Sequence, residues 1–349
     1  MKLRVGDWVV VKSKEDILWS LDKQGRLEGL PFMPQMFQYC GQRFQVYKRA
    51  HKTCDTVGYY RGGGRGLSDG VHLDLRCDGE AYGGCQAACL IFWKDAWLQP
   101  VDQEAKPQAD SANAKQCSTA ATSLNSCTEE NVWAGTSLQG RQAEEDIIYT
   151  CQATELPNFT TFLPWWNLSQ YLEDYTSGNV FLRQMFDRFL FAVFFNLYEG
   201  LTRIWWRFSV ILAWIYDKFQ AMRGGFPFPC REGTIPEGQP TPTSNLDLQP
   251  GELVRVKSYQ EILATLDTGN KNRGLVFDQE LVPYCGGTYR VRARLNKFID
   301  EKTGKMLVVK NTAILLEDVW CRSRYSGCRL FCPRSIYSWW REVWLERIP

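Results

Sequence analysis

The segment GDWVVVKSKEDILWSLDKQGRLEGLPFMPQMFQYCGQRFQV, residues 6–46, is repeated with changes as GELVRVKSYQEILATLDTGNKNRGLVFDQELVPYCGGTYRV, residues 251–291. Sixteen of the 41 aligned positions are identical, and the alignment needs no gap. Each copy later ends in a similar aromatic segment, WKDAWL at 93–98 and WREVWL at 340–345. Each copy therefore spans roughly a hundred residues, which is enough for a hydrophobic core of its own. The repeat predicts a duplicated domain.

Both copies have a long irregular stretch between their first two β-like segments. Alternation of polar and apolar residues predicts short strands, at Gly6–Ser13, Arg43–Arg49, Val71–Leu75, Trp97–Val101, Gly251–Lys257, Thr288–Leu295, Met306–Lys310 and Val343–Arg347. Short strands and a long first connection are typical of SH3-like barrels. The expected fold class is therefore α+β and mostly β, with two SH3-like small β-barrels joined by a central aromatic-rich helical module.

Composition changes along the chain predict five segments. Residues 102–146 are rich in Gln, Ala, Ser, Thr and Glu, a composition that buries too little apolar surface to order a chain. Residues 227–249 are rich in Pro and Gly. The predicted organisation is a first cysteine-rich barrel at 1–101, a flexible linker at 102–146, an aromatic helical module at 147–226, a Pro/Gly linker at 227–249 and a second barrel at 250–349.

Charge and targeting signals narrow the classes of partner. The 349 residues carry 41 basic and 39 acidic side chains, a net charge of +2. This balance gives no reason to expect a nucleic-acid partner, whose phosphates require a concentrated basic face. The N-terminal residues lack the apolar region of a secretory signal, so a cytoplasmic protein is expected.

The stretch Val180–Phe219 is aromatic and aliphatic, with polar residues at helical spacing. Its longest charge-free runs contain ten and nine residues, whereas a membrane-spanning helix needs about twenty. A transmembrane reading is therefore rejected. Three alternatives stay open: packing against the barrels, a protein partner or self-association through residues 180–219, and peripheral contact with a membrane surface.

Four cysteines of each copy have a counterpart in the other copy, which makes eight in all. Four cysteine thiolates are the usual ligand set of a structural zinc ion or of an iron–sulfur cluster. The candidate metal ligands are Cys40, Cys77, Cys85, Cys89, Cys285, Cys321, Cys328 and Cys332. The spacing is C-x3-C rather than the C-x2-C of zinc ribbons, so the alternative is that these are buried thiols inherited by both copies.

The first copy has two further candidates that the second lacks. His51 and Cys54 align with Asn296 and Ile299. They could add ligands to the first site or form a nucleophilic Cys–His pair. An exposed histidine in a loop without a role is the alternative.

Three short segments resemble a group of uncharacterised bacterial proteins with tandem cysteine-rich, SH3-like repeats. They are YTCQATEL at 149–156, SGNV at 177–180 and LFCPR at 330–334. The resemblance implies a bacterial cytoplasmic protein, and it implies no activity.

The sequence therefore predicts a non-enzymatic scaffold, stabilised by metal or a cluster, whose central helices recruit a partner. The second hypothesis is an iron–sulfur redox or accessory protein for a biosynthetic enzyme. Attachment to a membrane surface through the central helices is the third.

Overall fold

The computed structural model describes residues 2–58, 63–101, 127–138, 147–204, 206–325 and 329–348, without the side chains of residues 63 and 202–209. The chain divides into two compact units. The first unit contains Met1–Cys85, Leu90–Asn179 and Ile299–Met306. The second contains Gln86–Cys89, Val180–Phe298 and Leu307–Pro349.

The first sequence copy folds into short strands around one α-helix. Its elements in chain order are β1 (Trp8–Val11), α1 (Lys14–Ser20), β2 (Arg26–Leu27), β3 (Leu30–Pro31), a 3-10 helix (Pro34–Tyr39), β4 (Arg43–Gln45), β5 (Lys48–Arg49), β6 (Lys52–Thr53), β7 (Gly63–Gly66), β8 (Gly70–His72), a 3-10 helix (Glu80–Tyr82), β9 (Trp93–Lys94), a 3-10 helix (Asp95–Trp97) and β10 (Leu98–Val101).

Helices dominate the region between the two copies. Its elements are α2 (Glu129–Ala134), β11 (Ser137–Leu138), β12 (Ile148–Tyr149), α3 (Leu156–Phe159), β13 (Thr161–Pro164), α4 (Ser169–Thr176), α5 (Leu182–Ile204) and α6 (Trp206–Arg223). The helix α2 falls inside the segment for which the composition predicts a linker. Residues 102–126 and 139–146 of that segment lie outside the described residues.

The second copy repeats the start and the end of the first and has longer strands between them. Its elements are β14 (Leu253–Val256), α7 (Tyr259–Leu263), β15 (Lys271–Asn272), β16 (Leu275–Val276), a 3-10 helix (Gln279–Tyr284), β17 (Thr288–Ile299), β18 (Met306–Trp320), β19 (Tyr337–Trp340), a 3-10 helix (Glu342–Trp344) and β20 (Leu345–Arg347).

Equivalent strands pair in the same way in both copies. The antiparallel order β10–β1–β4 of the first copy corresponds to β20–β14–β17 of the second. Val11 lies opposite Leu98, and the equivalent Val256 lies opposite Leu345. The structure therefore confirms the duplication at the level of sheet topology and register.

The shared Val-Lys-Ser motif begins a helix in each copy. The Ser13 hydroxyl accepts a hydrogen bond from the Asp16 amide at 3.1 Å, and Ser258 accepts from the Glu261 amide at 3.3 Å. Such N-cap bonds satisfy an amide that the helix itself leaves without a partner. The identity of this motif between the copies thus has a local structural cause.

A repeated aromatic cluster forms the core of each copy. The Phe32 ring packs edge-on against Trp93 and Trp97, with ring centroids 6.3 and 5.1 Å apart. In the second copy the Phe277 ring packs in the same way against Trp340 and Trp344, at 6.1 and 5.2 Å. All four tryptophans have no exposed surface.

The prediction of two SH3-like barrels is wrong. The sheets are small, separate and antiparallel, and the described residues show no closed barrel. In the first copy the expected strand Arg43–Arg49 is divided into β4 and β5, which belong to different sheets. Two-residue strands cannot supply the tilt and stagger that barrel closure requires. In the second copy β17 and β18 instead extend a five-stranded sheet of order β19–β18–β17–β14–β20.

The expected helices are present in the aromatic stretch. They are α5, with 23 residues, and α6, with 18 residues. None of the helices that the structure describes is long and apolar enough to cross a membrane.

Replacing Trp97 with alanine tests the aromatic cluster. Because the indole is fully buried, we expect Trp97→Ala to lower the free energy of unfolding by about 3–5 kcal/mol. The measurement is urea unfolding followed by far-UV circular dichroism.

The matched control is Trp19→Ala, since the Trp19 side chain on α1 is 81% exposed. We expect it to change the free energy of unfolding by less than about 0.5 kcal/mol. Equal effects of the two substitutions would contradict the described core.

Candidate functional site

The repeated Tyr-Cys-Gly motif forms the same turn in both copies. The Cys40 and Cys285 amides each donate to a carbonyl of the preceding 3-10 helix, at 3.1 Å. The following glycines, Gly41 and Gly286, have φ angles of +75° and +77°, a conformation that other residues adopt only with strain. Their amides donate to β1 and β14, respectively. This turn gives both copies a structural reason to keep the motif.

Three cysteines of the first unit are neighbours in its core. Burial raises the pKa of Cys77 strongly, and the nearby Cys151 thiol raises it further. Burial also raises the pKa of Cys151, with a smaller contribution from Cys85. The Cys77 sulfur accepts a hydrogen bond from the Gln35 amide at 3.2 Å, and the Cys85 sulfur accepts one from the Ile299 amide at 3.4 Å. The Cys77 and Cys151 thiols therefore hold their protons at neutral pH.

The remaining candidate metal ligands are not grouped with these three cysteines, or they lie outside the described residues. Cys89 belongs to the second unit, whereas the other candidates of its set belong to the first. Cys321 lies 3.6 Å from the Ser323 hydroxyl, and Cys332 is buried. Cys328 lies outside the described residues. Among the residues that are described, no three His, Cys, Asp or Glu side chains are placed to hold a metal ion. The zinc or iron–sulfur site stays a prediction from sequence.

His51 belongs to a buried charged cluster rather than to an exposed loop. Its Nε2 lies 3.3 Å from Asp174 Oδ1 and 3.1 Å from the Gln170 carbonyl oxygen. The Lys52 ammonium donates to Asp174 Oδ2 at 2.5 Å. The three side chains are at most 5% exposed, and Cys54 is also buried. The geometry indicates that this cluster joins β6 to α4, and a catalytic or ligand role of His51 and Cys54 stays a prediction from sequence.

Asp174 and Cys151 were not candidate site residues in the sequence analysis. Neither has a counterpart in the repeat, and both lie more than sixty residues along the chain from the His51, Lys52, Cys77 and Cys85 side chains. Only the folded chain brings them together with His51, Lys52 and Cys77.

The inner faces of α5 and α6 pack against other residues of the second unit. Phe191 on α5 and Tyr216 on α6 are buried with Phe228 and Tyr325. The Phe191 and Tyr325 ring centroids are 4.7 Å apart, and those of Tyr216 and Phe228 are 5.6 Å apart. Both helices thus turn one face toward the same pair of residues.

The opposite faces of the two helices are apolar as well, and they are exposed. On α5 the exposed apolar residues recur every three or four positions, and on α6 adjacent pairs and single residues recur at that spacing, so that each helix carries one continuous stripe. We call the two stripes together the outer face, and its residues are Leu182, Phe186, Leu190, Val193 and Leu197 on α5 and Val210, Ile211, Trp214, Ile215, Phe219 and Met222 on α6. Their exposed fractions lie between 40 and 79%.

The outer face is large for a protein surface. A large aromatic side chain carries about 150–250 Å², so the exposed parts of these residues amount to on the order of 1,000 Å². The largest apolar patch on a typical soluble monomer covers about 300–600 Å². A patch above that range marks a binding surface, and the outer face is therefore the candidate functional site.

Comparison with known proteins adds no assignment. No family model matches the chain, and no curated protein or solved structure gives a significant match.

Replacing Asp174 with asparagine tests the buried charged cluster. Asp174→Asn removes the carboxylate that forms an ion pair with the buried Lys52 ammonium, so we expect it to lower the free energy of unfolding by about 3–5 kcal/mol. Chemical denaturation measures the change.

The control is Lys2→Ala. The Lys2 Nζ atom lies 3.4 Å from Oε1 of Glu173, which is on the same helix as Asp174, and this pair is exposed. An exposed pair contributes about 0–1 kcal/mol, and an equally small effect of Asp174→Asn would contradict the cluster's role.

The reactivity of Cys285 tests how far its thiol is shielded from solvent in the repeated motif. Burial raises the pKa of Cys285 to about 12, so at pH 8 its thiolate fraction is about a thousandfold below that of an ordinary cysteine. Iodoacetamide should label it correspondingly slowly in the native protein, about tenfold faster for each added pH unit, because more thiolate forms as pH rises. Mass spectrometry measures the rate, and the urea-unfolded chain is the control. Equal labelling rates in the two states would refute this assignment.

Proposed function

We propose that this chain is a non-enzymatic interaction protein that attaches to an anionic membrane surface through the α5–α6 hairpin. The observation that carries the proposal is the outer face, whose exposed aromatic and aliphatic residues form one apolar surface on two adjacent helices. Helices of this kind lie in the membrane interface with the apolar side buried about 5–10 Å deep. The attachment is peripheral.

The charge of the hairpin favours an anionic surface. Residues 182–223 contain six basic and three acidic side chains, a net charge of +3, while the remaining 35 basic and 36 acidic side chains give −1. Each basic side chain near an anionic leaflet contributes about 1 kcal/mol of attraction. The hairpin that presents the outer face thus also carries the excess positive charge.

The same charge disfavours a second copy of the chain on this surface. A two-fold dimer would place the same patch of each copy against the other. Two hairpins of charge +3 would then meet, and like charges across an interface oppose association. An anionic membrane satisfies both the apolar area and the charge.

Vesicle co-sedimentation tests this function. Wild-type protein should pellet with vesicles of phosphatidylcholine and phosphatidylglycerol in equal parts, and about 100-fold more weakly with phosphatidylcholine alone at low ionic strength. The double variant Val193→Gln, Ile211→Gln should lose about 100-fold or more in affinity, since two outer-face side chains no longer favour the apolar phase.

The control for this variant is Val308→Gln. Val308 is 77% exposed on β18 of the same unit but lies outside the outer face, so its replacement should leave vesicle binding unchanged. Wild-type protein that stays in the supernatant with both vesicle types would contradict the proposal. A dimer that the double variant abolishes would instead identify a second copy as the occupant.

A further inference from the structure

A cavity of about 560 Å³ lies between α5 and α6. Its walls come from the start of α5, the end of α6 and the segment around Tyr325, all within the second unit. Cavities of about 300–1,000 Å³ are the size that holds small organic ligands. The cavity is therefore large enough for a lipid head group and the first part of its chains.

The polar lining of this cavity is strongly basic. Four guanidinium groups line it, those of Arg183, Arg188, Arg223 and Arg324. Among the described lining residues, Asp187 is the one carboxylate, and it lies 3.3 Å from Arg223. The lining thus has an excess of three positive charges. Arginine binds phosphate through paired N–H groups, so this excess matches a phosphate ester.

Aromatic rings hold three of these guanidinium groups in place. Arg188 lies 4.9 Å above the Phe331 ring, Arg223 lies 5.2 Å from the Phe219 ring and Arg324 lies 5.1 Å from the Phe226 ring. Stacking uses the flat face of a guanidinium group, whereas anion recognition uses the N–H groups at its edge. The stacked side chains therefore lose less freedom when an anion binds.

The cavity shares part of its wall with the outer face. Leu190, Ile215 and Phe219 line the cavity and are also members of the exposed stripes. An apolar chain that leaves the cavity along these three residues would continue over apolar surface. The basic part of the site therefore lies next to the apolar part, which matches a ligand with an anionic head group and apolar chains.

We propose that this cavity binds one anionic phospholipid of the membrane, with its phosphate on the four arginines and its acyl chains on Leu190, Ile215 and Phe219. The inference rests on the proposed function, because the lipid reaches the cavity from the membrane on the outer face. It adds a specific lipid site to a surface that otherwise recognises area and charge alone.

Isothermal titration with dihexanoyl phosphatidic acid, a short-chain phospholipid used below its micellar concentration, tests the site without any membrane. We expect saturable binding of one molecule to the full chain. Glycerol 3-phosphate and hexanoate are the comparison ligands, and each should bind at least about tenfold more weakly, since each offers only one half of the recognised chemistry. Equal affinity for glycerol 3-phosphate would overturn the lipid assignment in favour of a free phosphate ester.

Three variants locate the binding. Arg183→Gln with Arg324→Gln should weaken it at least about 100-fold, about tenfold for each charged hydrogen-bonding group removed. The control Arg290→Gln, an exposed arginine on β17, should leave it unchanged. Asp187→Asn should strengthen binding about threefold or more, because it removes the lining carboxylate. A gain of affinity cannot result from unfolding, and a loss of affinity in Asp187→Asn would refute the site.

The titration and the vesicle experiment fail independently. Vesicle binding without saturable binding of dihexanoyl phosphatidic acid would remove the cavity site and leave the proposed function standing. Saturable binding without vesicle attachment would keep the site and remove the function.

Discussion

The aromatic cluster in each sequence copy is the interaction on which the rest of the structure depends. In the first copy many strands have only two residues, and such strands form few ladder hydrogen bonds. Phe32, which follows the β2–β3 hairpin, packs against Trp93 and Trp97, and Phe277, which follows the β15–β16 hairpin, packs against Trp340 and Trp344. These contacts connect the hairpin of each copy to the segment just before its last strand. Edge-to-face pairs add about 0.5–1.5 kcal/mol each to the free energy of burial. The copies therefore keep these rings where most surface residues have changed.

Sequence comparison within the chain predicted a core in each copy, and it identified the aromatic segments at 93–98 and 340–345 that supply the tryptophans of this core. It did not predict that these tryptophans meet Phe32 and Phe277. The prediction of two closed barrels from the same comparison was wrong. Alternation along Arg43–Arg49 indicates a strand, but no local pattern shows that the chain changes sheet between β4 and β5. The 15-residue length of β18 was equally hidden, since only Met306–Lys310 shows a strand pattern and the remainder is fixed by its neighbours in the sheet.

The candidate sites, like the fold, were predicted from the sequence only in part. The repeat correctly marked Cys40 and Cys285 as equivalent, but identity alone does not separate a metal ligand from a thiol in a capped turn. His51 was singled out because the second copy has no histidine at the equivalent position. Its partner Asp174 lies on a helix that is distant in sequence, so the repeat could not indicate it. The helical stretch was recognised from its composition. Which of its two apolar faces is exposed depends on contacts with Phe228 and Tyr325, which lie outside that stretch.

The central claim is that the outer face of α5 and α6 contacts lipid directly. Photocrosslinking tests it most directly: the protein is irradiated with anionic vesicles that contain a phospholipid with a diazirine on its acyl chain, and adducts are mapped by mass spectrometry. The account predicts adducts concentrated on the outer face, at residues such as Phe186, Val193 and Ile211. Adducts concentrated on another exposed apolar segment, such as Trp165 and Trp166, or no adducts at all, would contradict it.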